Sequence, residues 1–179
     1  MCVSAVPRFD DFVFRIATEA DLVPVCEILR LAVTKMLAEG KCQWDESYPN
    51  AAHVRDDMGK GIGYVMELNG EVVAYGAVTF DGEPAYDELE GCWLSRGEYV
   101  VLHRLAVRRD LGGRGIGTRV LTAVGNLALA RGVTSFKVDT NFDNTAMLGL
   151  LRKLGFTYCG EVRYGRGTRM AFEKLLENL

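Results

Sequence analysis

Long apolar runs, paired cysteines and excess positive charge are all missing from this sequence of 179 residues. No uncharged apolar stretch approaches the roughly 18–20 residues that a helix needs to cross a bilayer, and the N-terminus has no apolar segment typical of a secretion signal. The five cysteines include no CxxC pair, which predicts free thiols and no metal site. A net charge of −3 disfavours general nucleic-acid binding. We therefore predict a cytoplasmic protein without a membrane or nucleic-acid partner.

The elements that are present predict one domain behind a short leader. Residues 1–11 are predicted to be flexible, and residues 12–179 to fold as a single domain. Asp21 is the predicted N-cap of the first helix, and the pair Asn69-Gly70 suits the type I′ turn of a hairpin. Because hairpins alternate with strand–helix–strand units, we predict an α/β fold in which a mixed sheet carries helices on both faces. The predicted strands include residues 12–17, 63–68, 71–80, 133–140, 156–162 and 168–175, and the predicted helices end at Gly40, Lys60, Gly132 and Gly155.

Three glycines at alternate positions mark the stretch around which the chain is organised. Residues 99–121, YVVLHRLAVRRDLGGRGIGTRVL, lead from an apolar strand through Gly113, Gly115 and Gly117 into a helix. This arrangement points backbone N–H groups at an anion such as phosphate. A P-loop is disfavoured because Thr118 occupies the lysine position. A dinucleotide fold is disfavoured because the spacing is GxGxG and too little chain follows for further parallel strands.

The segment LAVRRDLGGRGIGTRVL resembles the acetyl-CoA-binding signature of the GNAT N-acetyltransferase superfamily, in which a strand ending in L-A-V leads through [QR]-x-x-G-x-[GA] into a helix. DTNFDNTAMLGLLRKLGF is similar to the later helix of that family, and the opening strand with Thr18 and Asp21 extends the resemblance over nearly the whole chain. The resemblance implies a GNAT-like mixed, mostly antiparallel sheet flanked by helices on both faces. It also implies transfer of acetyl from acetyl-CoA to a primary amine by direct attack, without a metal, in a fold that permits a homodimer.

The resemblance assigns the cofactor residues. In the family the loop amides hold the CoA pyrophosphate, and the preceding strand splays from its neighbour so that its free backbone groups pair with the pantetheine arm. Asn144 matches the asparagine beside that arm, and it equally suits a helix N-cap. The implied cofactor-binding residues are Leu105, Ala106, Val107, Gly112, Gly113, Arg114, Gly115, Ile116, Gly117, Thr118 and Asn144.

Two positions depart from the family pattern. Gly112 stands at the [QR] position, so a side chain that bonds back into the loop is missing. Leu151 stands seven residues after Asn144, where many members carry a tyrosine that protonates the leaving thiolate. The general acid is therefore open, with Tyr158 as the candidate and Cys159 or water as alternatives.

The candidate general base is His103. Two-residue alternation along the strand predicts that Val101, His103 and Leu105 share one face, where some family members place a catalytic Glu or His. Histidine takes up a proton near neutral pH, which suits deprotonation of an amine. A buried, hydrogen-bonded histidine without a catalytic role fits the pattern equally well. Glu98, at the entrance of the strand, is the second candidate.

Residues 41–50 break the helical periodicity and predict one wall of a substrate cleft, formed by Trp44, Asp45 and Tyr48. Aromatic residues that fill the core are the alternative. Acidic residues here and in the long polar loop of residues 81–97 would suit a cationic amine, either a small molecule or a peptide amine. Two other functions stay open, a CoA-binding module without turnover and a partner-binding domain that exposes Trp44, Tyr48 and Trp93.

Overall fold

One sheet of eight strands organises the protein. The computed structural model describes residues 12–177, so the predicted leader at residues 1–11 lies outside the described residues. The strands are β1 (Phe12–Ile16), β2 (Gly63–Leu68), β3 (Glu71–Thr79), β4 (Glu90–Gly91), β5 (Val100–Val107), β6 (Ser135–Thr140), β7 (Thr157–Tyr164) and β8 (Gly167–Leu175). The helices are α1 (Leu22–Ala38), α2 (Ala51–Gly59), α3 (Ile116–Ala130) and α4 (Thr145–Lys153).

The strand order is β1-β2-β3-β5-β6-β8-β7-β4, and neighbouring strands are antiparallel except for β5 and β6, which run parallel. This confirms the mixed, mostly antiparallel sheet. The β2–β3 hairpin has the predicted turn, with Asn69 at φ 52° and Gly70 at φ 80°. The central strands are buried on both sides because helices cover both faces of the sheet.

The two helix pairs bury opposite faces of the sheet. Val25, Leu29 and Val33 of α1 pack against β2 and β3 at Val65 and Tyr75. On the other face, apolar residues of α3 and α4 pack against β3, β5 and β6, as the helical spacing predicts. The central strands are therefore apolar on both sides, and a charged residue within them needs a partner.

The parallel strands β5 and β6 diverge soon after they meet. Their register contains only two pairs, Val100 with Phe136 and Val101 with Lys137. β5 then continues to Val107 beside β3, while β6 continues beside β8. Within residues 12–177, no strand pairs with this side of β5 beyond Val101, so a V-shaped opening, the splay, exposes backbone groups of β5.

A β-bulge interrupts β5 beside the splay. Gly76 of β3 faces both Arg104 and Leu105, and Arg104 has a φ of 54°. The extra residue reverses the alternation, so Leu105 packs against the core under α3 and not on the side of His103. The predicted common face of Val101, His103 and Leu105 is therefore wrong for Leu105, because strict alternation does not survive a bulge.

Asp21 ties the start of α1 to the sheet. Arg15 of β1 donates to the Asp21 carboxylate at 2.8 and 2.9 Å, and Thr18 donates through its N–H at 2.7 Å and its hydroxyl at 3.0 Å. Asp21 occupies the predicted N-cap position, but its side chain accepts no bond from α1 and turns back to Arg15 and Thr18. The hydrogen bonds from Arg15 lower the pKa of Asp21 to about 2.

Replacing Asp21 by asparagine is expected to lower the free energy of unfolding by about 2 kcal/mol near neutral pH. The folded-state pKa of about 2 lies below the ordinary value of 3.8, so the stabilisation is complete above the ordinary value and is lost as pH falls through the folded one. Urea denaturation of both proteins, at about pH 7 and about pH 3, measures the difference.

The matched control is Glu27→Gln, which removes an exposed carboxylate of α1 that pairs with Arg30. This variant is expected to unfold like the original protein at both pH values. The account of Asp21 is contradicted if Asp21→Asn and the original protein lose the same stability on acidification.

Candidate active site

The loop between β5 and α3 presents backbone amides without side-chain caps. Gly115 is the N-cap of α3, with a φ of 78° and no side-chain hydrogen bond to the helix. The first-turn N–H groups of Ile116, Gly117 and Thr118 have no acceptor within the helix. Gly113, at φ 76°, adds a second left-handed residue. The loop and the helix dipole together form a site for an anion such as a phosphate.

A groove of about 520 Å³, the cofactor groove, runs from this loop to the splay. It is lined by nine of the predicted cofactor residues, Leu105, Ala106, Val107, Gly112, Gly113, Gly115, Ile116, Gly117 and Asn144. Arg114 of the loop and Thr118 in the first turn of α3 do not line the groove. Five cations also line it, Lys35, Lys41, Arg108, Arg109 and Lys153.

Helices α3 and α4 approach closely on one side of the cofactor groove. A Cβ on Gly117 would lie 3.0 Å from the Leu150 Cδ2 atom, so glycine permits this contact. Asn144 is the N-cap of α4, where its Oδ1 accepts from the Met147 N–H at 3.3 Å, and it also lines the groove. Leu151 is fully buried in the core and offers no proton donor.

A second cavity of about 850 Å³, the acceptor cleft, lies beside α2 and reaches β5 at His103 and Arg104. The next residue, Leu105, lines the cofactor groove. Residues 41–50 also reach both cavities, since Trp44 lines the groove and Tyr48 lines the cleft. Consecutive residues at the bulge of β5 therefore line the two cavities, although no residue in the described part of the chain lines both.

His103 and Glu83 face each other in the acceptor cleft. The His103 Nε2 atom lies 3.3 Å from the Glu83 Oε2 atom, and both side chains are about four-fifths buried. The other carboxylate oxygen of Glu83 accepts from the Ala85 N–H at 3.3 Å, which fixes the side chain on its loop. The hydrogen bond with His103 lowers the pKa of Glu83, so this carboxylate stays ionised at neutral pH.

A buried ion pair holds the bulge residue Arg104. Its guanidinium donates twice to the carboxylate of Asp57, with the Nε contact at 2.9 Å, and donates to the Tyr48 hydroxyl at 3.0 Å. Tyr75 completes the cluster by donating its hydroxyl to Asp57 at 2.6 Å. Burial and the negative charge of Asp57 raise the pKa of Tyr75 well above its ordinary value.

Asp139 accepts hydrogen bonds from three donors, two of which, Tyr164 and Arg169, line the cleft. The hydroxyls of Tyr86 and Tyr164 each donate to its Oδ2 atom at 2.9 Å, and Arg169 donates to its Oδ1 atom at 3.2 Å. Burial, followed by the charge of Asp139, raises the pKa values of both tyrosines. These phenols keep their protons at neutral pH.

The remaining predicted side chains lie apart from His103. Glu98 is exposed before β5 begins, and the half-exposed Tyr158 stacks edge-on against Phe172, which belongs to the core on the α3 side. Cys159 is buried, and its thiol donates to a backbone carbonyl. The structure brings none of these three to the acceptor cleft.

The predicted substrate wall is divided. Tyr48 lines the acceptor cleft, whereas Asp45 pairs with Arg166 at 2.5 Å. Trp44 is only 5% exposed and packs in the core beneath α1. The interpretation in which an exposed Trp44 binds a protein partner is therefore wrong, because the loop folds this ring inward.

Sequence reasoning missed Glu83, Asp57 and Arg169. Each acts through a partner that is distant along the chain, so local spacing gives no sign of it. One signal was available, because Arg104 is a charge within an apolar strand, and a buried charge needs an opposite one. Within residues 12–177, no three His, Cys, Asp or Glu side chains form a metal-binding group, and no helix is long and apolar enough to span a membrane.

The sequence model of the acetyltransferase (GNAT) family matches residues 24–156. The chain belongs to this family. A GNAT-family acetyltransferase of Streptococcus agalactiae is 30% identical, covers 97% of this chain and 100% of its own, and superposes with a TM-score of 0.87. Membership confirms the fold that the resemblance implied, the general activity of acetyl transfer, and acetyl-CoA as the cofactor.

Two more distant structures share the fold. The Salmonella typhimurium protein yncA, solved with acetyl-CoA, is 20% identical with a TM-score of 0.65, and the match covers 94% of this chain and 96% of that one. The ribosomal-protein-S18-alanine N-acetyltransferase of Escherichia coli is 15% identical with a TM-score of 0.63, and the match again covers 94% and 96%. A comparison with curated proteins found no significant match.

Replacing Gly115 by alanine is expected to weaken CoA binding about tenfold, because a Cβ disfavours the left-handed conformation that aims the loop amides. Isothermal titration calorimetry with CoA measures the dissociation constant. The matched control is Gly132→Ala at the other end of α3, where φ is 75° and a Cβ would also meet open space. Equal affinity of the two variants for CoA would contradict the assignment of the loop.

Proposed function

We propose that the protein transfers the acetyl group of acetyl-CoA to a primary amine bound in the acceptor cleft, by direct attack of the amine. The observation that carries this proposal is that consecutive residues at the β5 bulge line the two cavities, Arg104 the acceptor cleft and Leu105 the cofactor groove. An amine in one cavity can thus approach a thioester in the other.

The residues of the cofactor groove fit CoA. The amides of residues 113–118 would hold the pyrophosphate, and Arg109 and Lys153 supply positive charge near it. The unpaired side of β5 at residues 105–107 would bind the amide-bearing pantetheine arm as an added strand. When bound, acetyl-CoA supplies a thioester, so the reaction forms a C–N bond, breaks the C–S bond and moves one proton from nitrogen to sulfur.

His103 is our candidate for the general base. With its Nε2–H donated to Glu83, the Nδ1 atom carries a lone pair that can take the proton of the attacking amine. The ionised Glu83 carboxylate fixes this tautomer and stabilises the imidazolium that forms. Glu83 acts through His103 and is a positioning residue.

Tyr48 is our candidate for the general acid in place of Tyr158. Its hydroxyl oxygen accepts from Arg104 at the bulge, which leaves the phenolic proton free to be donated. By contrast, the hydroxyl of Tyr164 already donates its hydrogen bond to Asp139. Leu151 cannot donate a proton as the family's usual tyrosine does. Tyr48 lies in the acceptor cleft, and its hydroxyl contacts Arg104 at the β5 bulge.

A CoA-binding module without turnover is the remaining alternative. This alternative explains why a leucine can occupy position 151. It does not explain why His103 and Glu83 form a nearly buried pair in the acceptor cleft. Because a carboxylate beside a histidine in a cleft is a common acid–base arrangement, the enzyme is favoured.

His103→Ala is expected to lower kcat about 100-fold, within the usual range for loss of a general base, without changing the affinity for CoA. Glu83→Gln is expected to lower kcat less than His103→Ala does, because an amide orients the imidazole less firmly than the carboxylate does. Tyr48→Phe is expected to lower kcat, because the variant has no phenolic proton to donate. Thiol release from acetyl-CoA with a panel of amines measures all three.

The control for these variants is Arg55→Gln, which removes an exposed arginine of α2 that pairs with Glu19 and lies outside both cavities. It is expected to retain the rate and pH profile of the original protein. An unchanged profile in His103→Ala would remove His103 from the mechanism, and CoA binding without acetylation of any amine would favour the module without turnover.

A further inference from the structure

Four cations line the acceptor cleft, and each of them pairs with a carboxylate. Three of the pairs are Arg104 with Asp57, Lys60 with Asp56, and Arg166 with Asp45. Arg104 and Arg166 each have an additional hydroxyl partner, so three donors of Arg104 and two of the more exposed Arg166 are engaged within the protein. The fourth cation is Arg169 of β8.

Arg169 is held much less completely. One N–H donates to Asp139 at 3.2 Å, and the ring of Tyr164 lies 4.6 Å from the guanidinium carbon. Asp139 already accepts two phenolic hydroxyls, so its negative charge is shared among three donors. A guanidinium has five N–H donors, and the described part of the chain provides no second hydrogen-bond acceptor for this one.

The unfilled donors of Arg169 belong to a partly buried group. Its side chain is 15% exposed and lines the acceptor cleft. A cation in such a place is weakly hydrated, so an anionic ligand gains more from it than from an exposed arginine. The planar fork of a guanidinium matches the two oxygens of a carboxylate or a phosphate.

The same cleft has negative charge at another place. Asp81 and Glu83 line it on the side of His103, and the positive charge of Arg169 contributes to the lowered pKa of Glu83, which places the two groups within electrostatic reach. The cleft therefore carries both signs of charge. The acidic residues Asp87, Glu88 and Glu90 of the polar loop are exposed and do not line the cleft. The charges that do line it modify the expectation that the substrate is a purely cationic amine.

We infer that the acceptor amine also carries an oxyanion group, as an amino acid does, and that Arg169 binds this group while the amine lies at His103 and Glu83. The inference rests on the proposed function and names its substrate class. A polyamine would place positive charge against Arg169 and leave its donors unfilled. A zwitterion satisfies both ends of the cleft.

The test compares matched amines with the unmodified protein. A panel of L-amino acids is assayed beside the amines formed by their decarboxylation, and O-phosphoethanolamine beside ethanolamine. At least one oxyanion-bearing member is expected to have a kcat/KM about 10- to 100-fold above its partner, the range for a hydrogen bond to a charged group. The amino-acid arm and the phosphate arm distinguish the two oxyanions.

Variants then assign the preference to Arg169. Arg169→Gln is expected to lose it by raising KM for the oxyanion-bearing substrate, with little effect on the partner amine that lacks the oxyanion, and Arg169→Lys is expected to restore part of it. The control Arg163→Gln removes an exposed arginine of β7 that pairs with Glu90 and lies outside the cleft. Thermal unfolding verifies that each variant is folded.

The outcomes separate the two proposals. Acetylation of amines with no preference for an oxyanion, or an equal loss for both partners in Arg169→Gln, overturns the inference and leaves the N-acetyltransferase intact. Binding of CoA without acetylation of any amine overturns the proposed function, and the substrate class falls with it. A preference that is lost in Arg169→Gln and kept in Arg163→Gln supports both.

Discussion

The buried ion pair between Arg104 and Asp57 is the interaction on which the site depends. It holds a non-glycine residue at positive φ in the middle of a central strand, and this residue makes the bulge. The bulge places His103 in the acceptor cleft and turns Leu105 toward the opposite core. A regular strand would keep both on one face. Removal of either partner would leave an uncompensated buried charge, which is strongly destabilising.

The divergence of β5 from β6 supplies the second half of the arrangement. Since their pairing ends at Val101, the following backbone groups of β5 are available to a ligand, and the glycine loop continues the same groove with more amides. The glycines of the loop contribute only backbone to this groove. A loop that binds through amides tolerates the loss of one side chain, which explains why Gly112 can stand where the family has Gln or Arg.

The acceptor cleft is built differently, because its side chains come from elements far apart in sequence. Glu83 lies in a loop, Asp57 in α2, His103 in β5 and Arg169 in β8. Side chains set charge and shape in this cleft, so under the proposed function acceptor specificity would depend on the cleft and cofactor binding on the loop. Tyr48 and Trp44 connect the two, since one short segment contributes to both cavities.

What the sequence could predict follows from the same division. The hairpin at Asn69, the glycine loop and the cap at Asn144 are local patterns, and each lies in the structure as predicted. The bulge at Arg104 and the pairing of His103 with Glu83 are not local, because they depend on which strands become neighbours. For this reason Leu105 lies on the opposite face from the one predicted. Tyr158 was chosen as a candidate because it is near α4 in sequence, but the structure places it outside the acceptor cleft.

A crystal structure with CoA bound tests the central claim most directly. The account predicts that the pyrophosphate lies about 2.7–3.2 Å from amides of residues 113–118, that the pantetheine arm pairs with β5 at residues 105–107, and that the sulfur ends beside Arg104 at the opening of the acceptor cleft. CoA bound in another cavity, or with its sulfur directed away from the bulge, would contradict it.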